Sequence, residues 1–144
     1  MAMTLFDRVL VPIADPDDAV RTAAALQALG DAPEEVIVGH VIEKSDGGPD
    51  VASVSQRQEA AAEAFDTFHE SFAPTDRSAM RSVTLYGTDV TETIVEAAID
   101  ADASVITFVP RSGGRLIKLI SGDMTNKLVE NGSVPVLAMP PAED

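Results

Sequence analysis

Ser104-Val-Ile-Thr-Phe-Val109, then Pro110-Arg-Ser-Gly-Gly-Arg115 and Leu116-Ile-Lys-Leu-Ile-Ser-Gly-Asp123, decide how this chain is read. The first six residues form an apolar run of strand length that ends at a proline. The next six form a loop rich in glycine and arginine. A short helix opening at Asp123 and a closing apolar run, Val134-Pro-Val-Leu-Ala-Met139, complete the unit. Strand, loop, helix, strand is the grammar of a parallel sheet, because parallel neighbours need a crossover connection. Residues 110–122 carry three basic side chains (Arg111, Arg115 and Lys118) and no acid, inside a chain of net charge −14. A cationic, glycine-rich loop leaving a buried strand points to a small-anion or nucleotide site.

The same alternation runs upstream. Val9-Leu-Val-Pro-Ile13 is a continuous apolar strand, and the helix after it is well punctuated. Asp15 can cap that helix, Pro16 suits its first position, Asp17 and Asp18 favour its positive end, and Gly30 can stop it. Val36 to Ile42 reads as a second buried strand. A loop over residues 44–50 leads to a long helix from about Val51 to Phe72, with Ala61, Phe65, Phe68 and Phe72 on one face. Val83 to Tyr86 is a third strand closed by Gly87. Asp89 and Glu92 have capping-box spacing before a helix with Ile94, Val95, Ala98 and Ile99 as its apolar stripe. Strands apolar on both faces and separated by helices predict a doubly wound α/β fold, a five-stranded parallel sheet covered on both sides. A chain of 144 residues with no repeat or low-complexity tract is expected to form a single domain over 1–144.

Composition narrows the function. With no cysteine, disulfides, thiolate nucleophiles and Cys-based metal sites are excluded. The start of the chain lacks the pattern of a secretory signal, and no apolar run is long enough to span a bilayer, so a cytoplasmic protein without membrane insertion is expected. The acids are 14 Asp and 10 Glu, and only Lys44, Lys118 and Lys127 are lysines. Such an acidic, lysine-poor surface stays hydrated at high salt, which fits a halophilic origin. It also repels nucleic acid, since too few cations exist to neutralise a run of phosphates. His40 and His69 have no evident ligand set, no metal site is expected, and neither has the Ser and carboxylate partners of a hydrolase. A phospho-accepting receiver would need an Asp ending strand three and a Lys ending strand five; Tyr86-Gly87 and Met139-Pro140 stand there instead.

In open α/β sheets the ligand crevice lies beyond the carboxyl ends of the strands, at the topological switch point. That makes the loops after strands one and four the candidates. The order of elements, the opening Val9-Leu-Val-Pro-Ile13, the block Ile94 to Ile106, and the ending Gly122 … Leu128-Val129 … Val134-Pro-Val-Leu137 together resemble the universal stress protein family over essentially the whole chain. The resemblance implies strand order 3-2-1-4-5 and pairing of the last strand with its counterpart across a two-fold axis. The chain is therefore expected to be a homodimer, with Val134, Val136 and Ala138 at the interface. It also implies, in the nucleotide-binding branch, a Gly-x2-Gly-x9-Gly-(Ser/Thr) motif after strand four and an Asp ending strand one.

Here the chain departs from that motif. Counted back from Gly122, the first two glycine positions hold Val109 and Ser112, the hydroxyl position holds Asp123, and the strand-one Asp position holds Ala14, with Asp15 next. Asp123 puts a carboxylate at a helix N-terminus that would otherwise attract an anion. What remains is Gly122, the pair Gly113-Gly114, and the cations Arg111, Arg115 and Lys118. The candidate ligand residues are Ala14, Asp15, Arg111, Ser112, Gly113, Gly114, Arg115, Gly122 and Asp123, with no catalytic residue. Asp15, Asp17 and Asp18 face these cations and can pair with them, closing the crevice with the chain's own charges. The expected function is a non-catalytic stress-response or regulatory protein with a degenerate nucleotide or anion crevice. The alternative is an adenine-nucleotide-binding, weakly ATPase-like member, taking ATP or AMP on a shifted phosphate loop.

Overall fold

The computed structural model describes residues 4–29, 33–43, 51–72, 79–110, 126–128, 130 and 132–140, with backbone only at 43 and 51–54. Its elements, in order, are β1 (Arg8–Pro12), α1 (Pro16–Ala28), β2 (Glu35–Glu43), α2 (Val51–Ser71), β3 (Ala79–Gly87), α3 (Val90–Asp100), β4 (Val105–Phe108) and β5 (Val136–Ala138). Residues 126–128 and 130 are helical. The sheet is parallel throughout, in the order β3-β2-β1-β4-β5. This is the expected doubly wound topology, with the direction of winding reversing between β1 and β4.

Alternation along the strands divides the interior into two apolar layers. Val9, Val11, Ile13, Val36, Val38, Val105 and Val109 face α1 and α2. Leu10, Ile37, Val41, Ile106 and Phe108 face α3 and Leu128. The face of α2 is the expected one: Ala61, Phe65, Phe68 and Phe72 are all buried, and the Phe68 and Phe72 rings stack with centroids 5.6 Å apart. Leu26 and Ala23 of α1 share that layer.

Both helix starts form as their punctuation predicts. Asp15 caps α1, its Oδ1 accepting from the Asp18 N–H at 2.8 Å, with Pro16 in the first turn. Asp89 caps α3 by accepting from the Glu92 N–H at 3.0 Å. The C-cap of α1 is Leu29, and Gly30 lies outside the described residues.

Two readings are corrected. Ile99 does not belong to the α3 stripe: it is 52% exposed, while Ile94, Val95 and Ala98 are buried. The sheet contacts only one side of this helix, and Ile99 falls past the edge of that contact. β3 is also longer than Val83–Tyr86, beginning at Ala79 and pairing with β2 along its full length. Its first half looks polar because an edge strand is open to water, and Arg81 is held there by Glu35 of the neighbouring strand at 2.9 Å. That carboxylate also takes the Arg8 Nε at 2.7 Å, and Arg8 Nη1 donates to the Ala101 carbonyl at 3.1 Å. The amino ends of β1, β2 and β3 and the end of α3 are thereby tied together. The Arg8 hydrogen bond, aided by the charge of Arg81, holds the Glu35 carboxyl below the ordinary carboxylate range.

Candidate functional site

The switch point puts the carboxyl ends of β1 and β4 side by side, because Leu10 pairs with Ile106 and the two chains leave in opposite directions. On the β1 side, Ile13 is fully buried and its N–H continues the sheet by donating to the Gly39 carbonyl at 2.9 Å. Ala14 and Asp15 follow, as the sequence places them.

The chain then closes on itself. Asp18 is 1% exposed, and its Oδ2 accepts from the Ala14 N–H at 2.8 Å. Its other oxygen faces the Thr22 hydroxyl at 3.4 Å, one helical turn on. Asp15 binds the Asp18 N–H while Asp18 binds the Ala14 N–H. The result is a reciprocal clasp, related to a capping box but shifted by one residue. The N–H of Ala14, at the mouth of the crevice, is thus already engaged by a carboxylate of the chain. Three carboxylates, those of Asp15, Asp17 and Asp18, also lie at the positive end of α1, where a ligand anion would otherwise be attracted.

His40, on β2 beside this loop, adds a second internal contact. Its Nδ1 lies 3.0 Å from the Ile13 carbonyl. A carbonyl only accepts, so Nδ1 carries the proton in the neutral ring. Burial pushes the His40 pKa below its ordinary value, against the hydrogen bond to Ile13 and the charge of Asp15, which both act to raise it. Sequence reading missed both contacts. The visible signal was the run Asp15-Pro-Asp-Asp18, in which the first and last acids have N-cap and N3 spacing.

On the β4 side, Val109 is 1% exposed and packs in the α1–α2 layer. Its isopropyl group fills core volume at the first glycine position of the motif. Buried Thr107 donates to the Leu137 carbonyl at 3.0 Å, linking β4 to β5. Arg111, Ser112, Gly113, Gly114, Arg115, Gly122 and Asp123 lie outside the described residues. Among the described residues, no group of three or more His, Asp or Glu is arranged to hold a metal ion. Nor, among them, is any helix long and apolar enough to cross a membrane.

β5 is an edge strand, as the expected interface requires. Its three candidates differ. Val134, which precedes β5, is buried in the core layer that includes α3, Val136 is half-buried against that layer, and Ala138 is exposed.

A sequence model of the universal stress protein family matches residues 5–140. Among solved structures, a universal stress protein from Archaeoglobus fulgidus superposes with a TM-score of 0.65 at 19% identity, covering 92% of this chain and 97% of its own. One from Archaeoglobus fulgidus in complex with dAMP gives 0.63 at 16% identity, covering 94% and 99%. A universal stress protein in complex with cAMP gives 0.56 at 16% identity, covering 96% and 100%. No curated protein matches the chain.

Proposed function

Since the chain belongs to the universal stress protein family, we propose that it is a non-catalytic stress-response regulator whose nucleotide crevice is degenerate and takes adenine nucleotides weakly. The observation that carries this reading is the clasp at the crevice mouth, in which buried Asp18 occupies the Ala14 N–H and Asp15 caps the same helix. A nucleotide entering there meets carboxylates already committed to the fold, with Ala14 where a ribose partner would stand. Its phosphates must be held by Arg111, Arg115 and the Gly113-Gly114 pair, against the charge of Asp123.

Relatives of the same fold are described in complex with dAMP and cAMP, which keeps an adenine nucleotide as the ligand class. Calorimetry should return a dissociation constant for magnesium ATP no tighter than about 1 mM, near −4 kcal/mol. Ala14→Asp with Asp123→Ser should tighten it by about tenfold or more, by supplying a ribose partner and removing a misplaced carboxylate. Val109 is kept as it is, because its side chain is part of the core. Micromolar binding by the unaltered chain would overturn the degenerate reading.

The proposal includes a homodimer formed through β5, which leaves Ala138 and the strand's free edge for a partner strand. Light scattering should return twice the 15.1 kDa chain mass, and a monomer at micromolar concentration would refute it.

A further inference from the structure

A second concave site lies on the α3 face of the sheet, toward the amino ends of the strands and away from the crevice. It is an open pit of about 290 Å³ between α3 and the β1–β2–β3 side of the sheet. Leu10, Ile37, Val83 and Leu85 make an aliphatic floor. Ala97 and Ala101 form the helix wall, and Arg81 and Asp100 stand among the lining residues as the two charges.

The pit exists because small residues stand where larger ones would close it. α3 offers only methyl groups at Ala97 and Ala101. Gly39 lies under the floor, where an added Cβ would rest 3.5 Å from Leu85 Cδ1 and 3.6 Å from Leu10 Cδ1, in ordinary contact. The space is therefore not forced by backbone crowding. Arg81 is anchored but not consumed: Glu35 takes its Nε at 2.9 Å, and its side chain is 59% exposed. The anchor fixes the guanidinium beside the pit and leaves N–H groups to donate to a carboxylate.

Three features select the occupant. The volume falls just under the roughly 300–1,000 Å³ of small-molecule sites, so the ligand is small. The floor is wholly aliphatic, which asks for a branched hydrocarbon side chain. The lining carries one charge of each sign, within a chain of net charge −14 that disfavours net anions. We propose that the pit binds a free aliphatic α-amino acid, its side chain on the floor, its carboxylate on Arg81 and its ammonium at Asp100.

The test is a methyl NMR titration of the full chain with L-leucine, alongside 4-methylpentanoate, which lacks the ammonium, and leucinamide, which lacks the carboxylate. Leucine should saturably shift the methyls of Ile37, Val83 and Leu85, and each truncated probe should bind about tenfold more weakly or worse. Arg81→Gln should reproduce the loss seen with leucinamide. Ala97→Phe, at a half-buried helix position, should abolish binding by filling the pit while thermal unfolding remains cooperative. Absence of saturation by leucine up to about 10 mM would overturn the proposal, since that is weaker than about −3 kcal/mol. Equal binding of 4-methylpentanoate would overturn it in favour of a simple aliphatic anion. Leucine binding should be the same in the Ala14→Asp, Asp123→Ser chain, so the outcome here is independent of the nucleotide reading.

Discussion

The clasp between Asp15 and Asp18 makes a quantitative claim about stability. Asp18→Ala removes the acceptor that the described residues provide for the Ala14 N–H, a bond of 2.8 Å at a part-buried position. Leaving a buried donor unpaired costs about 1–3 kcal/mol. Losing a carboxylate from the first turn of α1 costs about 0.3–1 kcal/mol more. The expected loss is about 2–3 kcal/mol, or about 5–10 °C in Tm for a chain of this size. Asp18→Asn should cost only about 1 kcal/mol, because its amide oxygen still accepts from Ala14 and the Thr22 hydroxyl can turn to accept from its NH2. Urea denaturation followed by circular dichroism, at fixed protein concentration and with equal slopes for the three proteins, measures both differences. If Asp18→Ala falls within about 0.5 kcal/mol of the parent, the carboxylate is a solvated surface group and the clasp carries no weight. If Asn and Ala are equally damaging, the charge and not the hydrogen bond is what matters.

Gly87→Ala should destabilise by about 1–3 kcal/mol through overpacking, because its Cβ would collide with Thr93 Oγ1. Thr93→Ala in the same chain should recover most of that loss, and additive effects in the double-mutant cycle would show that the two do not meet. His40, neutral in the fold with its pKa lowered by burial, contributes stability that is complete above its ordinary value of 6.5 and is lost as pH falls toward the folded value, since the unfolded chain takes up the proton first. His40→Gln should remove that slope, and a parent profile flat between about pH 7 and 5 would refute it. Glu35, also lowered, acts in a separate window, with stability present above its ordinary 4.5 and lost as pH falls below that. If the acidic surface reflects a saline origin, Tm should climb steadily from dilute to molar potassium chloride without aggregation, as repulsion among the 24 acids is screened. A flat curve would make the chain an ordinary acidic protein.

The fold was legible because its main determinants are local and redundant. Five apolar runs, each bounded by a cap, a proline or a glycine, leave few arrangements other than a covered parallel sheet. The errors fall where the environment is one-sided. β3 at the edge of the sheet tolerates Arg81 and Ser82, so its polar half carries no strand signal; only its pairing with Glu35 to Ser82's neighbour Val38 makes it a strand. Ile99 fits the helical period, but the period marks a face without saying how wide a contact the sheet will offer it.

The candidate site was less legible because its decisive interactions link side chains to backbone groups across a turn. Counting the acids of Asp15-Pro-Asp-Asp18 suggests a charged loop free to meet the arginines, as the opposite sign of the two loops invites. The arginines lie outside the described residues, and within those residues Asp15 and Asp18 each have a backbone partner: one caps the helix, and the other, almost fully buried, returns to the Ala14 N–H. Asp17, on the exposed side of the same turn, has no such commitment among the described residues. We propose that this acid competes with a ligand for the cations of residues 110–122, so Asp17→Asn should strengthen nucleotide binding without the loss of stability that Asp18→Ala brings.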